Sequence, residues 1–275
     1  LKREQLLGRK KAQKLELFQM TNKYRQRLLW IIVLALIWQL TAVSGVFSEL
    51  IFPGLDQIFL ALIESFKDGD LIKQIGFSLS IIMQGLFLAT AAALILALTA
   101  YFSKSAAGLI DTLTALAHPL PGIALMPLIL IWFGSGRTAI LIVIIHSVLW
   151  PLILNLSTGF NSIPDIYTLI AKNYRLSKLE FMYKILIPAS LPYFISGLKI
   201  AWARSWRALI SAEMLFGAIN SLGGLGWFIF QKRVFFDLPG VFAGIIVIIV
   251  IGVTVEDFIF KKLEANTVKK WGILK

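Results

Sequence analysis

The stretch LPYFISGLKIAWARSWRALISAEM, residues 191–214, is apolar enough to enter a membrane yet carries Lys199, Arg204, Arg207 and Glu213. A charge at the bilayer centre costs at least about 2.5–3.5 kcal/mol, so such groups must face protein or water rather than lipid. Arg204 and Arg207 stand three residues apart and share a helix face with Ile200 and Ser211. Trp202, Trp206, Leu209 and Glu213 line the adjoining face. Two neighbouring guanidinium groups suit three roles. They attract an anion along a translocation path, because guanidinium holds carboxylate, sulfonate or nitrate through forked donors. They pair with Glu213, or with Glu256 and Asp257 later in the chain, as structural glue. Or they snorkel toward the outer interface. The pattern alone leaves all three open.

Little else in the sequence could do chemistry. The chain has no cysteine, which excludes disulfides, thiol catalysis and thiolate metal sites. His118 and His146 lie outside any HExxH pattern; His118 reads as a packed or interfacial histidine and His146 as a hydrogen-bonded core one. There is no G-x4-G-K-[ST] to cradle phosphate. GSGRTA, residues 134–139, fits GxGxxA only formally and reads as a tight glycine turn. No G-x-S-x-G is present, and Ser196 in FISGL has no believable base. We expect no catalytic residue, no metal site and no cofactor in this chain.

The elements that must position those charges are membrane helices. The 275 residues are 58% hydrophobic and 15% charged, against about 45–50% and about 25% in soluble domains. The expected fold class is an all-α membrane protein with six transmembrane helices of roughly 20 residues. The apolar runs place them at Leu28–Val46, Ser78–Phe102, Leu113–Phe133, Thr138–Thr158, Ser190–Gly217 and Val241–Phe260. Measured from Ser190, Arg204 lies about 21 Å along its helix and Arg207 about 26 Å. Pro119, Pro121 and Pro127 in the third span free backbone carbonyls. They either shape a water-lined path or bend a packing helix. With both termini inside, inner segments hold nineteen Lys/Arg and outer segments five, which fits the positive-inside rule. The net charge of +12 therefore describes topology, and nucleic acid is not an expected partner. Residues 1–27 are a basic cytoplasmic segment, solvated or resting on anionic lipid. Residues 28–46 are a retained anchor without signal-peptide features, and residues 261–275 are a basic cytoplasmic tail.

Two connections are long, residues 47–77 outside and 159–189 inside. The inner one has its own helix punctuation. Pro164 and Asp165 open a short helix, on which Ile166, Leu169 and Ile170 share a face. Ser177 and Glu180 form a capping box for a second helix, and Pro188 marks its end or a kink. Between the helices lies NYRL, with an aromatic and a cation at an elbow. This is a hairpin lying on the membrane or a docking element for a cytoplasmic partner.

The loop resembles the cytoplasmic loop of binding-protein-dependent ABC importer permeases, E-A-A-x3-G-x9-I-x-L-P. Ala171, Ile185 and Pro188 match and Ile187 stands for Leu, while Leu169, Ile170 and Arg175 replace Glu, Ala and Gly. HPLPGIALMPLILIWFGSGRT, residues 118–138, resembles the third span and W-F-G-x-G turn of the nitrate/sulfonate/taurine branch. Residues 191–214 are similar to its L-P-x4-G-L-[RK]…W…L-x2-A-E stretch, and GGLG, 223–226, to the G-L-G that follows. The likeness spans roughly residues 75–260. It implies a type I importer permease core whose coupling loop is 159–189. Asp165, Leu169, Ala171, Tyr174, Arg175, Leu176, Ser177 and Glu180 would then meet an ATPase. Arg204, Trp206, Arg207, Glu213, Pro121 and Pro127 become candidates for the translocation path. Implied partners are a second permease subunit, read as an identical copy, two ATPase subunits carrying ATP and Mg, and an extracytoplasmic solute-binding protein. The implied location is a bacterial-type inner membrane, among lipid. The implied cargo is a small anion such as nitrate, a sulfonate, taurine or bicarbonate, with vitamin precursors and aromatic acids as alternatives. An ion-coupled secondary transporter is the rival class. In the turn, a glycine adopts φ > 0 cheaply and Arg175 does not. Either the turn differs here or Arg175 makes a contact of its own.

Overall fold

The computed structural model describes residues 2–217, 223–265 and 267. Among the described residues every regular element is a helix. Five are long and apolar enough to cross a membrane: Tyr24–Val43, Asp70–Phe102, Arg137–Asn161, Lys178–Leu215 and Leu238–Glu264. A sixth crossing is counted if the pair Lys104–Ala117 and Gly122–Phe133, bent by 88°, forms one span.

The first helix, α1, runs unbroken over Lys2–Val43, so the change from basic to apolar sequence near residue 28 is not a structural boundary. The outer connection holds α2, Leu55–Lys67. The second span, α3, begins at Asp70 rather than Ser78. Gly69, at φ 75, supplies the left-handed residue that turns the chain into it. α3 ends at Phe102, where extended Ser103 accepts the Ala106 N–H and caps α4, Lys104–Ala117.

The third span corrects the expected single run from Leu113 to Phe133. Its first half starts nine residues earlier, at Lys104, and the helix breaks at 118–121. Pro119 and Pro121 carry no N–H for the helical ladder, so the ladder fails here although His118 keeps helical angles at φ −61 and ψ −37. The chain resumes in a short 3-10 turn, Gly122–Leu125, and α5, Met126–Phe133. The fourth span is α6, Arg137–Asn161.

Beyond it come α7, Asp165–Asn173, and α8, Lys178–Phe181. Pro188 ends nothing. A π-helical turn, Met182–Leu186, passes directly into α9, Ile187–Phe216. Widening the ladder just before Pro188 gives room to its ring, which in a regular helix meets the carbonyl four residues back. After α9 come α10, Leu225–Val234, and α11, Leu238–Thr254. A π-helical turn, Val255–Phe260, then leads into α12, Lys261–Glu264.

The core is built around α6, which packs most extensively on α9 and α3. Between apolar helices in lipid there is no hydrophobic drive, so close approach of small residues must supply the contact. α3 carries Gly85, Ala89, Ala93 and Ala97 at intervals of four, and all are buried. A Cβ on Gly85 would stand 2.5 Å from Cγ2 of Ile144 in α6. Across the other seam, a Cβ on Gly197 of α9 would come within 3.0 Å of Asn155 Cβ. Ile140, Ile144, Leu152 and Leu209 fill the space between, fully buried.

The second π-helical turn and α12 are tied to α1 and α9 by ion pairs. Asp257 pairs with Arg27 at 2.7 Å and also with Lys261, and Lys199 pairs with Glu264 at 3.2 Å. From Tyr24 onward α1 carries mostly exposed side chains, and it is pinned near its far end. There Trp38 stacks on Phe52 with ring centres 4.1 Å apart and donates to the Pro53 carbonyl at 3.0 Å.

Candidate functional site

The elbow between α7 and α8 is locally over-determined. Pro164, extended at φ −58 and ψ 140, opens α7, with Asp165 in its first turn where the helix dipole favours an acid. The helix closes with Arg175 N–H on the Lys172 carbonyl at 3.0 Å and Leu176 N–H on the Ala171 carbonyl at 2.9 Å. That pair of bonds is a Schellman closure, which needs a left-handed residue. Arg175 is that residue, at φ 51. The turn thus keeps the geometry glycine favours, and arginine bears a strain of about 1–2 kcal/mol. Arg175→Gly should remove the strain and return about 0.4–1 kcal/mol to the unfolded chain as entropy. We expect a net gain of about 0.5–1 kcal/mol, read from thermal denaturation in detergent.

The second helix is fixed by the expected capping box. Ser177 N–H donates to Glu180 at 3.0 Å and Glu180 N–H donates to the Ser177 hydroxyl at 3.3 Å. Lys184 donates to the other carboxylate oxygen at 2.8 Å. The Lys184 hydrogen bond first, and then those from Ser177, hold the Glu180 carboxyl down at about 2. A lowered carboxyl favours the fold above its ordinary range, near 4.5, and loses that effect as pH falls toward about 2. A spin label beside the elbow should report unchanged mobility from pH 8 to 6 and rising mobility on acidification through that window. Upon this frame Ala171 is buried, whereas Tyr174 is 77% exposed, Leu179 68% and Leu169 53%. Asp165, Arg175 and Ser177 are exposed as well, and Leu176 is half-buried.

The paired arginines border a cavity of about 350 Å³. One wall is the proline turn 118–123, Pro121 included. The others are His146, Ser147 and Trp150 of α6, and Arg204, Arg207 and Ser211 of α9. Trp150 donates to His146 Nδ1 at 3.2 Å, and His146 Nε2 lies 3.1 Å from the Leu120 carbonyl. The two contacts tie α6 to the turn through the His146 ring. Gly122 sits so near α6 that a Cβ there would stand 2.6 Å from Ser147 Oγ. Trp206, Pro127 and Glu213 do not line this cavity.

Glu213 is engaged elsewhere. Its side chain is 1% exposed, and its two oxygens accept from Gly224 N–H at 2.9 Å and Gly226 N–H at 2.7 Å. Ser78 of α3 takes the Leu225 N–H between them at 2.9 Å. Three successive donors at the start of α10 are thereby satisfied from α9 and α3, where helix ends leave such groups orphaned. The glycines of GGLG are what let the carboxylate so near. A Cβ on Gly224 would collide with Ser78 Oγ and Glu213, and one on Gly226 would lie 2.8 Å from Glu213 Cβ.

Of the roles open to the cations, Lys199 takes an ion pair, with Glu264. Among the described residues no carboxylate lies within ion-pair distance of Arg204 or Arg207. Ser78, His146 and Trp150 were not singled out from sequence as partners. The i, i+4 spacing of His146 and Trp150 was the available signal for that pair, and Ser78 offered none.

A family model for the inner membrane component of binding-protein-dependent transport systems matches residues 85–268, more than half of the chain. The chain belongs to that family. It is a membrane transport component, not an enzyme. It is 34% identical over 164 residues to a nitrate import permease protein of Leptolyngbya laminosa, covering 60% of this chain and 57% of that relative. It is 28% identical over 229 residues to the taurine transport system permease protein of Escherichia coli, covering 82% of each chain. It is 27% identical over 260 residues to a bicarbonate transport system permease protein of Synechococcus elongatus, covering 86% of this chain and 90% of the relative. The family match contains both the elbow and the paired arginines, and leaves α1 outside it.

Proposed function

We propose that this chain is the permease subunit of an ATP-driven importer, with its core over residues 75–260 and its coupling loop at 159–189. A second copy of the chain completes the path. Two separate ATPase subunits carry ATP and Mg, and a solute-binding protein delivers the cargo from outside. Both termini face the cytoplasm, in accord with the nineteen-to-five partition of Lys/Arg. The cargo is a small anion, the class named for the nitrate, taurine and bicarbonate relatives.

The observation that carries this reading is the elbow. A capped, hydrogen-bonded turn holds Tyr174 almost wholly out of the protein, on a buried Ala171. A rigid frame with an exposed aromatic is how a helix anchors in a partner's groove. Nucleotide-driven motion of the ATPases then pushes on α7 and α8, and the spans alternate between outward-open and inward-open arrangements. Purification in mild detergent tests this. An ATP-hydrolysing subunit is expected to remain bound to the wild-type chain. A folded chain that never retains one supports an ion-coupled transporter instead.

A further inference from the structure

We propose that the cavity between the proline turn, α6 and α9 is an oxyanion site within the membrane, where the transported anion pauses between Arg204 and Arg207. It rests on the reading of the chain as an anion permease and adds where and by what chemistry the anion is held.

Three observations support it. First, the residues bordering the cavity include two arginines and no carboxylate, and no described carboxylate pairs with either arginine. Guanidinium never loses its proton in a protein, so two unbalanced charges at membrane depth call for a counterion. Glu213 is committed to the α10 donors and Asp257 to Arg27 and Lys261, and Glu256 is exposed and within ion-pair distance of neither arginine. Arg204 is half-buried and Arg207 exposed, so both are within reach of a mobile anion. Second, the wall opposite the arginines is held in place by hydrogen bonds and close packing. Both ring nitrogens of His146 are occupied, by Trp150 and the Leu120 carbonyl. The turn is seated on α6 through Gly122, which leaves no space for a side chain. Third, the size fits. A cavity of about 350 Å³ is at the small end of ligand pockets, with room for a compact oxyanion and some of its water. Forked N–H donors match the paired oxygens of nitrate, bicarbonate or a sulfonate group, and the hydroxyls of Ser147 and Ser211 stand on the same lining. A spherical halide gains nothing from the fork, and a cation is repelled.

Thermal denaturation of the purified chain in detergent tests the site without any ATPase. Sodium nitrate, sodium bicarbonate and taurine are titrated at constant ionic strength against sodium chloride. A ligand that binds only the folded state raises the melting temperature saturably. We expect saturable stabilisation by the oxyanions and none beyond the salt effect with chloride. In Arg204→Gln and in Arg207→Gln the concentration giving half the effect should rise at least tenfold. Arg207→Lys, which keeps the charge and loses the fork, serves if the Gln variants do not fold and should weaken binding less. Stabilisation equal in wild type and variants, or absent in wild type, overturns the proposal. A second arm separates it from the broader reading. In proteoliposomes with ATPase and binding protein, Arg204→Gln should lower ATP-driven anion uptake at least tenfold. Unchanged uptake removes the site and leaves the permease reading standing. A wild-type chain that supports no ATP-driven uptake removes that reading, and the denaturation arm still decides whether the cavity holds an oxyanion.

Discussion

Glu213→Ala is expected to cost the folded protein about 2–6 kcal/mol, because it leaves two buried N–H groups of α10 without acceptors at about 1–3 kcal/mol each. The donors are Gly224 and Gly226, and both are buried with the carboxylate that serves them. Removal of the side chain also opens a void among α3, α9 and α10, and water has no ready path to a residue only 1% exposed. Glu213→Gln should cost about half as much, since its amide oxygen still accepts one N–H while its NH2 faces the other donor. Ser78→Ala removes a single acceptor, that of Leu225, and should cost about 1–3 kcal/mol. The two sites hold one helix end, so their effects should not add. Thermal denaturation of the four proteins in one detergent gives the order: wild type, then Ser78→Ala and Glu213→Gln, then Glu213→Ala. A Glu213→Ala chain as stable as wild type would show that the carboxylate is not what holds α10 in place.

The second large effect concerns the elbow and should leave stability alone. Tyr174 is 77% exposed, and substitution of such a surface residue changes stability by about 0.5 kcal/mol or less. A buried interface aromatic, in contrast, is worth about 2 kcal/mol or more when cut to alanine. Tyr174→Ala should therefore weaken retention of the ATPase subunit by at least about thirtyfold while the melting temperature stays put. Adding Arg175→Glu replaces the cation at the left-handed position and should abolish retention. A Tyr174→Ala chain that binds the ATPase like wild type would move the docking surface off the elbow, toward Leu169 and Leu179.

Much of this was legible in the sequence because it depends on local chemistry. Length and apolarity suffice for α6 and α11, since a membrane span has few alternatives. The Ser177–Glu180 capping box and the Pro164–Asp165 start are short-range devices, and they stand where their spacing put them. The break at 118–121 was signalled by Pro119 and Pro121 but not its extent, because the apolar run alone does not show that α4 reaches back to Lys104. Arg175 defied its own propensity. Two closing hydrogen bonds and the capped helix beyond it hold a left-handed arginine that isolated residues avoid. Glu213 could not be assigned from spacing at all. Its partners lie eleven and thirteen residues on and are backbone groups, which leave no trace in side-chain pattern beyond the glycines that admit them.

The most direct measurement uses the absence of cysteine from the chain. Single cysteines are placed at Tyr174 and, as a control, at Phe236, which is 86% exposed between α10 and α11. Each chain is cross-linked with a short thiol-reactive reagent in membranes that contain the ATPase, with and without ATP. An adduct between Tyr174→Cys and the ATPase subunit, changed in yield by ATP and missing from Phe236→Cys, is the predicted result. No adduct at 174 in a folded chain, or equal adducts from both positions, would contradict an importer driven through this elbow.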